Sequence, residues 1–285
     1  MDKAYQDRFW DSPDGLKLHF RDYPGGDGPP VLCMHGLTRN ARDFAGLAGH
    51  LAQQRRVLVP EMRGRGESEY ARDSASYMPA TYVGDVLGLL AQEGIERFVA
   101  IGTSLGGLMT MMLAAADPQR IAGAVLNDIG PVVDAAGIGR IRDYVGQARS
   151  FPTWMHAARA LQEVHGSAHP GFATEDWLDM AKRSMVVQQN GRIGYDYDMA
   201  IAEPFGQDDG AAPPDLWPAF DALAGAPLLI VRGESSDILT AQTLAEMQRR
   251  NPEAETVTIA HAGHAPTLDE PEAVTAIDRL VARTA

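Results

Sequence analysis

The chain has 285 residues, 45% of them apolar and 22% charged, a balance that supports a sizeable buried core and excludes a disordered or fibrous protein. Asp and Glu number 38 against 25 Lys and Arg, a formal charge of −13. That balance argues against nucleic acid and anionic membranes as partners, because phosphate binding needs a basic footprint.

From the amino terminus, MDKAYQDRFWDSPDG lacks the apolar stretch of a secretory signal. No segment approaches the roughly 18 apolar residues of a membrane helix. A cytoplasmic location is therefore expected. Residues 7–10 and 16–20 read as two strands turned by Ser12-Pro13-Asp14-Gly15. A loop at 25–30 leads to a strand at 31–34 that holds Cys33. As the one cysteine it forms no intrachain disulfide, and it reads as a buried thiol.

A helix over 41–53, a strand at 56–60, the Gly-rich loop 62–67 and a helix over 79–93 follow. Next come a strand at 97–101, a helix from Leu105 to Ala116 stopped by Asp117-Pro118, and a strand from Ile121 to Leu126. Between Pro131 and Pro214 the alternation lapses into irregular helices rich in aromatics and methionine. It resumes with strands at 227–231 and 255–260 and helices over 240–249 and 271–283. The pattern predicts an α/β fold with a mostly parallel eight-stranded sheet, helices on both faces and an inserted helical cap. The expected division is core 1–130, cap 131–214 bounded by Ala211-Ala212-Pro213-Pro214, and core 215–285.

The chemistry centres on Gly102-Thr103-Ser104-Leu105-Gly106, a G-x-S-x-G directly after a strand and before a helix. A sharp turn there strains the serine and demands small neighbours two residues either side. It exposes the Ser104 hydroxyl at the carboxyl edge of the sheet and puts the Leu105 N–H at a helix start. A dinucleotide fingerprint is excluded, because G-x-G-x-x-G needs glycine where Ser104 stands.

A serine hydroxyl needs a base within hydrogen-bond reach. His264, in the loop between the last strand and last helix, is the choice over His261, which abuts the strand end. The orienting acid is expected after the penultimate strand, at Asp237, with Glu234 a loop contact and Asp128 the serious rival. A second oxyanion donor is the Leu37 N–H, in the turn His35-Gly36-Leu37, where His35 reads as a residue that holds the loop. His156, His165 and His169 read as solvated, and Met109, Met111 and Met112 as core. No ligand-spaced cluster implies a metal or cofactor.

With His35-Gly36, Arg63-Gly64-Arg65-Gly66-Glu67-Ser68, GTSLGG at 102–107, GESSD at 233–237 and AGH at 262–264, the chain resembles the α/β-hydrolase superfamily, in its branch of capped serine esterases. The resemblance implies Leu37 and Leu105 as oxyanion amides, 131–214 as a substrate-covering cap, and Arg63 and Arg65 as salt-bridged scaffold. Ser104 sets the chain apart from haloalkane dehalogenases and epoxide hydrolases, which carry a carboxylate there. His35-Gly36-Leu37-Thr38 departs from the His-Gly-Gly-Pro run of prolyl aminopeptidases.

The function expected is hydrolysis of a small to medium, partly apolar carboxylic ester or lactone through an acyl-enzyme, by a monomer or homodimer. Trp154, Trp177, Met180 and Tyr195 are its candidate substrate contacts. Two alternatives are carbon–carbon hydrolysis of a diketone on the same serine, and a ligand receptor that retains the triad with little turnover.

Overall fold

The computed structural model of the chain describes residues 4–206 and 214–284. The Ala211–Pro213 part of the expected cap boundary lies outside them. Eight strands form one sheet: β1 (Gln6–Asp11), β2 (Lys17–Tyr23), β3 (Val31–Met34), β4 (Val57–Pro60), β5 (Phe98–Thr103), β6 (Ile121–Asn127) and, much later in the chain, Leu228–Gly233 and Glu255–Ile259. The first two pair antiparallel, β2 runs antiparallel to β4, and the remaining pairings are parallel.

Because both faces of the sheet are covered, its central strands are apolar throughout instead of alternating with polar residues. Successive side chains go to opposite sides. Leu32, Met34, Leu58, Ala100 and Ile230 enter one cluster, and Val31, Cys33, Val57, Val99 and Val231 the other. Helix α1 (Ala45–Leu51) packs on the second face. Helices α2 (Pro79–Gln92) and α3 (Leu105–Ala116) pack on the first, where Met109 and Met111 are buried and Met112 lies against the same cluster.

Between β6 and the seventh strand of the sheet the chain forms α4 (Ala135–Tyr144), β7 (Ser150–Phe151), α5 (Trp154–His165), α6 (Thr174–Ser184), β8 (Met185–Val187), β9 (Ile193–Tyr195) and α7 (Ala202–Gly206). The three strands make a small antiparallel sheet where only irregular helices are expected. Two- and three-residue strands are too short for a period of two to register in sequence. Phe151, Leu161, Trp177, Met180, Met185 and Ile193 give this segment an apolar cluster of its own.

The chain then passes through α8 (Trp217–Asp221) into β10 (Leu228–Gly233), α9 (Ala241–Arg250), β11 (Glu255–Ile259) and α10 (Pro271–Ala282). The sheet order is β1-β2-β4-β3-β5-β6-β10-β11. The loops after β3, β5, β6, β10 and β11 thus open at one edge, the carboxyl ends of parallel strands, where open α/β sheets place their ligands. No described helix is long and apolar enough to cross a membrane.

The loop after β4 is anchored by a buried ion pair. Arg63 donates from Nε and Nη2 to the two carboxylate oxygens of Asp85 in α2, at 2.8 and 2.7 Å. On its other side it donates to Asp14, whose side chain is 54% exposed, whereas that of Asp85 is 1% exposed. Leaving a buried guanidinium without its fully desolvated partner is the costly change. Asp85→Ala is expected to lower the unfolding free energy by about 3–5 kcal/mol, and Asp14→Ala by about 1 kcal/mol or less, both read by urea denaturation.

Candidate active site

Ser104 follows β5 with φ 52° and ψ −112°, a conformation that costs energy for any residue with a side chain. Close packing of backbone on backbone enforces it. A Cβ on Gly102 would lie 2.2 Å from the Gly106 carbonyl oxygen, and one on Gly106 would lie 2.0 Å from that of Met34. Both glycines are therefore obligatory for the approach, as the strand–turn–helix motif predicts. The Ser104 amide donates to Asn127 O at 2.9 Å, so the elbow is pinned to the end of β6.

His264 Nε2 stands 2.9 Å from Ser104 Oγ, and its Nδ1 stands 2.7 Å from Asp128 Oδ2. An ionised carboxylate only accepts, so Nδ1 carries the proton and Nε2 is free to take that of the serine. Three residues from three loops are thus in line.

The carboxylate in that line is Asp128 and not Asp237, which corrects the sequence expectation. Asp128 directly follows β6 with φ 56° and is fully buried. It accepts the Gly233 N–H at 2.8 Å and the Ser236 hydroxyl at 2.6 Å as well as the imidazole. Ser236 Oγ also accepts the Ile238 and Leu239 amides, closing a tight turn after β10. This turn carries Asp237 outward, where Arg140 of α4 grips both its oxygens at 2.5 and 2.9 Å. That hydrogen-bonded ion pair holds the Asp237 carboxyl below the usual carboxylate range. The chain order Ser…Asp…His survives the exchange.

On the opposite side of Ser104, His35 spans the turn after β3. Its Nδ1 bonds Gly36 O at 2.7 Å, and its Nε2 accepts the Met62 amide at 3.1 Å. Its role as a loop holder follows. Arg65 is buried but, among the described residues, makes no salt bridge, contrary to expectation. It donates to Leu37 O at 3.0 Å, to Arg63 O and to the Tyr82 hydroxyl, which fixes the Leu37 peptide. Asn127 was not singled out in the sequence. Its Nδ2 donates to Thr103 Oγ1 and Pro266 O, tying the elbow to the His264 loop.

Two cavities flank Ser104. One, of about 430 Å³, is apolar, lined by Leu37, Leu105, Leu108, Ile129, Val133 and Ile238 among others. The other, of about 60 Å³, is polar and contains His264, Arg39, Asp43, Tyr144, His165 and Arg183. Met180 lines the second; Trp154, Trp177 and Tyr195 line neither, because they pack in or against the apolar cluster of the 150–195 segment. His156 is exposed beside Thr153, as expected. His169 is buried on Phe172 and Trp177, contrary to expectation, and half-buried His165 faces the polar cavity. His261 and Glu234 bond each other through backbone N–H and carboxylate, away from the Ser104 line. Among the described residues no group of three or more His, Cys, Asp or Glu is arranged to hold a metal ion.

The sequence profile of the alpha/beta hydrolase fold family matches residues 29–271. The chain is 36% identical over 270 residues to a 3-hydroxybutyrate-oligomer hydrolase of Cupriavidus necator, covering 91% of each chain. It is 25% identical over 239 residues to a 2-(acetamidomethylene)succinate hydrolase of Mesorhizobium japonicum, covering 84% and 82%. Its fold superposes with TM-score 0.96 on the crystal structure of an alpha/beta hydrolase from Novosphingobium aromaticivorans, 61% identical over 99% of this chain and 100% of that one.

Burial lowers the pKa of His35 from 6.5 to about 4, so the folded chain keeps it neutral where the unfolded chain takes up a proton. Its contribution is therefore full above pH 6.5 and is lost as pH falls toward 4. Replacing it as His35→Asn is expected to flatten the fall of stability across that window by an amount on the order of a few kcal/mol, read from urea midpoints at stepped pH.

Proposed function

Since the chain belongs to the alpha/beta hydrolase fold family, we propose that it is a serine hydrolase that cleaves a carboxylic ester through an acyl-enzyme intermediate. The observation that carries this reading is the continuous line from Asp128 through His264 to Ser104, with 2.7 and 2.9 Å at its two hydrogen bonds.

In the proposed reaction His264 Nε2 takes the Ser104 proton as Oγ bonds to the ester carbonyl carbon. The amides of Leu37 and Leu105 receive the negative charge on the carbonyl oxygen. Leu105 is the first residue of α3, where N–H groups lack intrahelical acceptors and the helix dipole favours an anion. Asp128 steadies the imidazolium. The proton then passes to the departing alkoxide, the carbon–oxygen bond breaks, and an acyl-Ser104 is left. Water, deprotonated by the same imidazole, frees the acid and returns the proton to the serine.

The large apolar cavity supports an acyl group of several carbons, lodged beside Leu37 and Leu105. The segment 131–214, α4 above all, is proposed as the cap over that group, since Val133, Ile138 and Ile141 reach the cavity. The Cupriavidus relative is named for oligomers of a hydroxy acid, whose units join through ester bonds, and this supports ester chemistry here.

Ser104→Ala is expected to cut turnover of a nitrophenyl ester by about a millionfold. Asp128→Asn, which leaves the imidazole in the wrong tautomer, is expected to cost about 10⁴ in kcat. Asp237→Asn loses a half-exposed ion pair and is expected to change kcat/KM by about threefold or less. Steady-state kinetics on the three variants checks the assignment.

A further inference from the structure

The two cavities differ in which half of an ester they meet. His264 must protonate the departing oxygen, so the alcohol half lies beside the imidazole. The polar cavity is walled by His264, Ala265, Pro266 and Thr267, which the apolar one lacks; Leu105 and Leu108 line the apolar one alone, and Leu37 borders both. The alcohol half therefore enters the polar cavity, and the chemistry of that cavity selects it.

Arg39 dominates this wall. The turn from Gly36 brings it back over the nucleophile, with its amide on Gly36 O at 3.1 Å. A methyl group built on Gly36 would touch both Arg39 Cγ, at 3.7 Å, and Ser104 Cβ, at 3.8 Å. Among the described residues its guanidinium makes one hydrogen bond, from Nη1 to Ser184 Oγ at 3.0 Å. Asp43 is its nearest carboxylate, at 3.8 Å and beyond hydrogen-bond reach. Most of its five donors are thus uncommitted. Arg183 lines the same cavity with a buried Nε that has no hydrogen-bond partner among the described residues.

Among the groups acting on His165, which faces the cavity, Arg39 and Arg140 are permanent cations. With burial, the largest cause, they hold the imidazole neutral. Asp43 is the one carboxylate on the cavity wall.

We propose that this cavity takes the carboxylate of a hydroxy acid, with Arg39 as its anchor, so that the preferred substrate is an ester whose alcohol half carries a free carboxylate a few bonds from the scissile oxygen. The small volume, about 60 Å³, suits a carboxylate on a short stem and not a bulky neutral alcohol. The planar fork of a guanidinium matches the two oxygens. The proposal rests on the serine-esterase reading and adds its leaving group.

The test compares the butyryl ester of β-hydroxypropionic acid with that of β-hydroxypropionamide, following butyrate release by wild type, Arg39→Gln, Arg39→Lys and Ser104→Ala. Wild type is expected to favour the acid over the amide by about 10–100-fold in kcat/KM, mainly through KM, as a charge-assisted hydrogen bond would give. Arg39→Gln keeps a donor for Ser184 and is expected to bring that ratio close to one, with Arg39→Lys between. A wild-type ratio near one, a preference for the amide, or an equal loss on both esters in Arg39→Gln overturns the anchor while leaving the esterase reading intact. The wild-type ratio decides even where a variant fails to fold. Absence of butyrate release from both esters, or equal release by Ser104→Ala, overturns the esterase reading and the anchor with it.

Discussion

Asp128 joins three strand ends through one buried carboxylate. Its oxygens accept the Gly233 amide at the end of β10, the Ser236 hydroxyl in the next turn and the His264 imidazole after β11, while its own backbone directly follows β6. A charge taken wholly out of water is tolerated only when fully hydrogen-bonded. These donors meet that demand and in doing so define where the imidazole sits. The tautomer, the ring orientation and the reach of Nε2 to Ser104 all follow from that single anion.

The other half of the site is held by backbone strain. The left-handed Ser104 persists because β5, β3 and α3 approach too closely at Gly102 and Gly106 for any relaxation. Asn127 is shared between the halves: its carbonyl accepts the Ser104 amide and its side chain donates to the His264 loop. Arg65 and His35 fix the facing turn at Leu37 in the same manner, from side chain to backbone. Ser104, His264 and that turn are thus each held by close packing or hydrogen bonds. The charged groups Arg39, Arg140 and Arg183 approach from loops and the 131–214 segment.

Most of the frame was legible in sequence because it depends on local rules. Apolar runs bounded by turns marked the later strands of the main sheet, the Ser12-Pro13-Asp14-Gly15 turn marked the first two, and the G-x-S-x-G between strand and helix marked Ser104. His264 was found because a loop after the last strand must open at the same edge. The acid was misplaced because position alone cannot distinguish it. Asp128 and Asp237 both follow strands that end at that edge, and what separates them is the Ser236 turn, whose hydroxyl donates to Asp128, 108 residues away in the chain. The small sheet of β7, β8 and β9 was hidden because its strands are only two or three residues long, and the Arg65 bond to Leu37 because it joins residues 28 apart.

Proton NMR of the His264 Nδ1 hydrogen tests the central claim most directly. A proton held between imidazole and carboxylate at 2.7 Å is strongly deshielded, and its resonance reports which carboxylate holds it. The account predicts a far-downfield signal in the wild type that persists in Asp237→Asn and disappears in Asp128→Asn. A signal lost in Asp237→Asn and kept in Asp128→Asn would contradict it.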